Sequence, residues 1–169
     1  MMFVERELKP CDLEALMQLQ VRVKRGMEHD DWLYLCEEEE FVFILNGGGY
    51  GVGVFEGEEM LGAWLLYYPI GRPDGLGHEI GLEDDKTAHF ELALLDERLR
   101  GRGMHGKMVD KLTAHCAADG RFTHMLMTAH PDNMASLGAF LNRGYTVAAT
   151  KTLYGGVRRS IAVKALQDK

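Results

Sequence analysis

The chain has 169 residues, 46% of them apolar, and a formal net charge of -7. That length and apolar content suit one compact domain with a real core, so a single domain over residues 1–169 is expected. The acidic balance sets the overall field against a phosphate backbone, and no run approaches the roughly 18–20 apolar residues of a membrane span, so neither nucleic acid nor a membrane is expected as a partner.

Phe3 to Glu7 reads as a short opening strand. Pro10-Cys11-Asp12 then marks a helix start, with Asp12 as N-cap and Leu13, Leu16, Met17 and Val21 at helical spacing. A second helix is expected from Asp31 to Leu45, stopped by Asn46-Gly47-Gly48-Gly49. Gly51 to Phe55 and Met60 to Tyr68 form a predicted hairpin around Glu56-Gly57-Glu58-Glu59. Pro69 to Lys86, with two prolines and four glycines, is the one long loop.

Ala88 to Leu95 is a strong strand, and Gly103 to Ala118 a helix with Met104, Met108, Leu112 and Cys116 four residues apart. Met125 to Ala129 is a short apolar strand, Asp132 to Arg143 a helix closed by Gly144, and Tyr145 to Ala149 with Val157 to Val163 a final strand pair. The order β-α-α-β-β-β-α-β-α-β-β predicts an α/β fold, a mixed sheet with helices on both faces.

The start, Met1-Met2-Phe3-Val4-Glu5-Arg6, lacks the charged-then-apolar plan of a signal peptide. Cys11, Cys36 and Cys116 lie far apart without C-x-x-C spacing. A cytoplasmic protein with reduced thiols is therefore expected. The seven histidines form no H-E-x-x-H pair, so no metal is expected.

The informative stretch is Leu95-Asp96-Glu97-Arg98-Leu99-Arg100-Gly101-Arg102-Gly103-Met104, which leaves a strand, turns through two glycines and opens a helix. Such a turn presents unpaired backbone N–H groups at the positive end of a helix, a setting suited to a phosphate anion. Arg98, Arg100 and Arg102 add positive charge within five residues of an acidic protein. Gly101 to Gly106 also satisfies G-x-G-x-x-G, a weak dinucleotide signal on which an NAD(P)-dependent oxidoreductase would rest. A dinucleotide fold should place an acid at the end of the next strand; here that strand ends in Ala129-His130-Pro131, which ranks the reading low.

Arg98-Leu99-Arg100-Gly101-Arg102-Gly103 resembles the Q/R-x-x-G-x-G/A signature of the GNAT superfamily of N-acetyltransferases. Asn133-Met134-Ala135-Ser136 and Arg143-Gly144-Tyr145 are similar to that family's N-x-A-S helix and its closing Gly-aromatic pair. The resemblance covers essentially the whole chain. It implies a GNAT fold with six to seven strands, splayed between the fourth and fifth, and acetyl-CoA as cosubstrate. The implied activity is acyl transfer to a primary amine of a small molecule or peptide. A non-catalytic acyl-CoA-binding sensor is the alternative, and monomer and homodimer stay open.

By the same resemblance the pyrophosphate would lie on the backbone N–H groups of Arg100, Gly101, Arg102, Gly103 and Met104. The pantetheine arm would pair like a strand with Leu94, Leu95 and Asp96. Asn133 would hydrogen-bond the arm while also serving as a helix cap, and Ser136, a turn on, could reach it too. Three jobs follow: removing a proton from the amine, meeting an oxyanion, and protonating a thiolate. Glu91 is the candidate base, where relatives carry an acid on this strand; a solvent-facing carboxylate or a partner of an arginine is the other reading. A backbone N–H near Leu95 would meet the oxyanion. Where many relatives carry the tyrosine that protonates the thiolate, this chain has Phe140, so the proton would come from His130, Tyr145, Tyr154 or water. Glu37 to Glu40 could draw a cation, or could answer the positive end of a helix in open water.

Overall fold

The computed structural model describes residues 2–166, with seven strands and four α-helices among them. They are β1 (Val4–Glu7), α1 (Leu13–Arg25), α2 (Glu38–Phe43), β2 (Gly49–Glu56), β3 (Glu59–Tyr67), β4 (Thr87–Leu95), α3 (Met104–Asp119), β5 (His124–Ala129), α4 (Met134–Leu141), β6 (Thr146–Leu153) and β7 (Val157–Ala165). The chain falls into two compact units, each drawn from two separate stretches: Met1–Tyr67 with Glu91–His105, and Tyr68–Phe90 with Gly106–Lys169. No helix among the described residues is long and apolar enough to cross a membrane.

In the first unit β1 pairs antiparallel with β2, from Val4↔Phe55 to Glu7↔Val52, and β2 pairs antiparallel with β3 from Gly49↔Tyr67 to Glu56↔Glu59. β3 is followed in the strand order by β4. Leu16 and Leu19 of α1 and Phe41 of α2 are fully buried, in one cluster with Ala63 and Leu65 of β3 and Leu92 and Leu94 of β4. Burying side chains of this size stabilises by about 1.5–3 kcal/mol each, which fixes the two helices on the strands.

In the second unit the order is β4-β5-β7-β6. β4 and β5 run parallel, with Thr87↔His124 through Phe90↔Met127 in register, so this ladder takes up the first four of β4's nine residues. β7 pairs antiparallel with both β5 and β6. Leu126, Leu153 and Ile161 form a small core against Leu76 and Ile80 of the long loop. A second aromatic core stacks edge to face: Phe90 on Phe140 at 4.9 Å between ring centres, and Phe140 on Tyr145 at 5.1 Å.

Three expectations from spacing need correction. The helix expected over Asp31 to Leu45 is in fact a short 3-10 turn at Asp30–Trp32, an extended run, and α2 from Glu38, after which the chain leaves helical angles at Asn46 and at Gly47, with φ 105. The cause is Gln20 of α1. Its side-chain amide accepts from the Cys36 N–H at 2.9 Å and donates to the Cys36 carbonyl at 3.0 Å, taking up both backbone groups a helix would need. Val21 is 47% exposed, because the buried face of α1 centres on Leu16, Leu19 and Gln20. Asp12 stands at the N-cap position of α1 as expected, but its carboxylate accepts from the Lys9 N–H and the Arg6 guanidinium, holding the turn before α1, and makes no cap bond to the helix.

Candidate functional site

The turn between β4 and α3 is fastened to β3 at successive points. The Asp96 N–H donates to the Leu61 carbonyl at 2.8 Å. Leu99, fully buried, lies where Gly62 has no side chain; a Cβ there would run into Leu99 and Trp64. Trp64 Nε1 donates to His105 Nδ1 at 3.2 Å, which pins the first turn of α3. The turn is thus held by the strand beside it, and its outer arc is left to two glycines.

Those glycines have the conformation the motif requires. Gly101 has φ 74 and Gly103 φ 69, the left-handed region, and a Cβ built on either would meet nothing within 4 Å. The requirement is one of backbone angle, with open space outside it. The third glycine of G-x-G-x-x-G has a different use: the place of a Gly106 side chain is taken by the Arg143 guanidinium. Arg143 also donates to the Ala139 carbonyl at 3.1 Å and stands 3.2 Å from an Asp110 carboxylate oxygen. Gly106 is therefore explained by packing within the second unit, without a dinucleotide.

The three arginines divide their work. Arg98 is committed: Nε and Nη2 donate to Asp96 at 2.9 and 3.0 Å, and Nη1 and Nη2 to Glu59 at 3.0 and 2.8 Å. Arg102 donates to the Arg98 carbonyl at 3.1 Å and its guanidinium lies over the Phe3 ring at 4.9 Å. Arg100 is exposed and faces a cavity of about 220 Å³. Its N–H donates to the Glu97 carbonyl at 3.1 Å, while its guanidinium has no hydrogen bond or ion pair among the described residues. The cavity is walled by Arg22, Val23 and Gly26 at the end of α1 and by Leu95, Asp96, Glu97 and Arg100 of the turn.

Asp96 is the buried centre of this arrangement, 7% exposed. Besides the Arg98 side chain, its carboxylate accepts the Arg98 N–H at 3.0 Å and Arg22 Nε at 3.1 Å. The Arg98 guanidinium, with smaller help from the Arg98 N–H and from Arg22, holds the carboxyl well below the usual carboxylate range, against the opposing effect of burial. A carboxyl that titrates lower folded than unfolded contributes fully above the unfolded value of about 4, and that contribution is lost as pH falls through the native value. Asp96→Asn is therefore expected to melt below the parent at neutral pH, with the gap narrowing below about pH 4. Melting curves from pH 7 down to pH 2 check this; a gap independent of pH would show that the charge plays no part.

Glu91, half-buried on β4, has Cys36 and Glu40 as neighbours in the first unit; one thiol and two carboxylate atoms lie within 4.8 Å of one another. Burial, and then the Glu91 and Glu40 carboxylates, push the Cys36 thiol up, so it stays protonated and donates a hydrogen bond to Glu40. Glu38, Glu39 and Glu40 occupy the first turn of α2, where its positive end suits them. Leu94 is fully buried, while Leu95 is half-buried and lines the cavity.

In the second unit Asn133 caps α4, its side chain accepting from the Ser136 N–H at 3.3 Å. Phe140 is 2% exposed between Phe90 and Tyr145. Tyr145 is equally buried, its hydroxyl 2.7 Å from Thr113 Oγ1, and burial pushes the phenol up. Phe140 and Tyr145 are thus core side chains. The His130 ring accepts the Asp132 N–H at 3.1 Å through Nδ1. Tyr154 has φ 53, a left-handed angle for a non-glycine residue, and its hydroxyl is 3.1 Å from Thr128 Oγ1. Sequence reasoning did not find Arg22, Glu59, Trp64 or the Gln20 clamp; each acts on a residue 16 or more positions away, beyond any local spacing signal.

No protein-family model matches the sequence, and no curated protein matches it. Solved structures do. A GNAT-family acetyltransferase from Streptococcus pneumoniae superposes with a TM-score of 0.75 at 15% identity, covering 98% of this chain and 100% of its own. NAA60 of Arabidopsis thaliana, in complex with a bisubstrate analogue, gives 0.73 at 14% identity, over 99% and 100%. The aminoglycoside acetyltransferase AAC(6')-Ib, in complex with coenzyme A and kanamycin, gives 0.70 at 18% identity, over 97% and 95%. The chain has the GNAT acetyltransferase fold.

Proposed function

We propose that this chain is an N-acetyltransferase of the GNAT kind, moving an acetyl group from acetyl-CoA to a primary amine of a small molecule or peptide. The observation that carries the reading is the turn Leu95 to Met104: two left-handed glycines with open space outside them, at the start of a 16-residue helix, in a chain with this fold. Like that turn, the uncommitted Arg100 guanidinium and the cavity beside it fit a phosphate-tailed ligand. Acyl-CoA supplies a thioester carbon open to attack and a thiolate able to leave.

Within this reading the backbone N–H groups of Gly101 to Met104 hold the pyrophosphate. Arg100 adds its side chain, since its own N–H is engaged by Glu97. Leu94 to Asp96 receive the pantetheine arm by strand-like pairing. Glu91 takes the proton from the incoming ammonium, directly or through a water, and a backbone N–H near Leu95 meets the developing oxyanion. Phe140 and Tyr145 are built into the core of the second unit, so neither is offered as the proton donor to the thiolate.

The test is a thiol-release assay with acetyl-CoA and a panel of amines, alongside calorimetry with coenzyme A. Turnover with any amine supports the enzyme; binding without release for any amine supports the acyl-CoA-binding sensor. Stabilisation by NADH and not by coenzyme A would overturn both.

The three arginines give a graded prediction. Arg100→Ala removes a charge free to meet phosphate and is expected to weaken coenzyme A binding on the order of 10- to 100-fold, the worth of a charge-assisted hydrogen bond. Arg102→Ala, already committed to the Arg98 carbonyl and Phe3, is expected to lose less. Calorimetry on both variants checks the order, and the reverse order would place the phosphate elsewhere on the turn.

A further inference from the structure

Arg22 stands in the last turn of α1, 74 residues from the carboxylate it grips. Its Nε donates to Asp96 Oδ2 at 3.1 Å and its Nη2 to the Met60 carbonyl at 2.9 Å. One guanidinium therefore joins three elements at one point: the end of α1, the start of β3, and the turn that follows β4. Asp96 in turn fixes the backbone of that turn, since it accepts the Arg98 N–H and grips the Arg98 side chain. A planar donor fork suits this double contact; a lysine ammonium keeps the charge beside Asp96 but reproduces the paired geometry only in part.

The charge is placed where it matters. The cavity beside the turn is walled by the carbonyl end of α1, by Asp96 and by Glu97, all negative in sense. Arg22 and Arg100 are the cationic residues on its wall. Without Arg22 the Asp96 carboxylate would keep Arg98 but lose its tie to the helix, and the wall would turn more negative towards an anionic ligand.

We propose that Arg22 is a positioning residue for coenzyme A binding, acting through Asp96 to hold the phosphate-binding turn against α1 and β3. This rests on the functional reading above and extends it to a residue outside the motif. Arg22→Gln then shifts the turn's N–H groups without removing any of them, so affinity falls while the chemical step, once the cofactor is bound, does not.

The experiment measures coenzyme A affinity by calorimetry, and kcat and KM for acetyl-CoA, in the parent, Arg22→Gln, Arg22→Lys, Asp96→Asn and the double variant Arg22→Gln with Asp96→Asn. Arg22→Gln is expected to raise Kd and KM about tenfold, with kcat within about twofold, and Arg22→Lys to restore part of the loss. In the Asp96→Asn background the same Arg22 change is expected to add little, because the two act as one unit. Unchanged affinity in Arg22→Gln would overturn the proposal, as would an equal loss in both backgrounds, which would mean that Arg22 touches the cofactor on its own. If the Asp96 variants fail to fold, the comparison of Gln with Lys at position 22 decides: equal losses overturn it. A parent that binds no coenzyme A would instead sink the functional reading itself, and so the two failures are distinguishable.

Discussion

Replacing Glu91 by glutamine is expected to lower turnover about 100-fold or more at neutral pH while leaving coenzyme A affinity within about threefold. Glutamine keeps the length of the side chain and an acceptor oxygen, so packing near Cys36 and Glu40 persists. What it loses is the capacity to take a proton from an ammonium. The surroundings favour a carboxylate as the proton acceptor, because the neighbouring thiol is held protonated and serves as a donor, not as a competing nucleophile. Steady-state kinetics against pH, with calorimetry for the cofactor, separate the two effects. An unchanged pH–rate profile, or a loss carried wholly by affinity, would count against Glu91 as the base.

Gly103→Val is expected to weaken coenzyme A binding at least tenfold and to lower stability by about 1–2 kcal/mol or more, the cost of a left-handed angle for an L-residue, higher when it is β-branched. The structure refines the reason. A side chain at position 103 would meet no protein atom, so the damage comes from φ 69 and from occupying the open space outside the turn, not from a clash within the fold. Gly103→Ala separates the parts, sharing the backbone cost with a smaller intrusion. Calorimetry with a melting curve as control checks this; a folded Val variant binding coenzyme A like the parent would remove the turn from the site.

Much of the fold was legible because its signals are local. Strand and helix periods, the glycine stops and the β4–α3 turn all lie within a few residues of what they determine, and the seven strands follow the expected order. The helix expected from Asp31 failed for the opposite reason: its fate is decided by Gln20, whose amide competes for the backbone of Cys36 from another helix. The arginines of the turn show the same divide. Their charge was legible, but which one stays uncommitted depends on Glu59, Asp96 and Phe3, reached only by folding. Asn133 was readable as a cap because capping is a three-residue affair. That Phe140 is core was not, since Phe140 stands on α4 and its partner Phe90 on the distant strand β4.

The two units interleave along the chain, and this bears on how the protein is made. When residue 67 leaves the ribosome the first unit still lacks Glu91–His105, so the Leu61 carbonyl that will take the Asp96 N–H is without that donor until some 30 further residues have been synthesised. During those seconds of translation the nascent chain carries an incomplete sheet margin, the kind of surface that recruits chaperones or other nascent chains. Neither unit is one continuous stretch, so trimming the gene from one end isolates neither, and a stop codon between residues 69 and 105 would leave both unfinished.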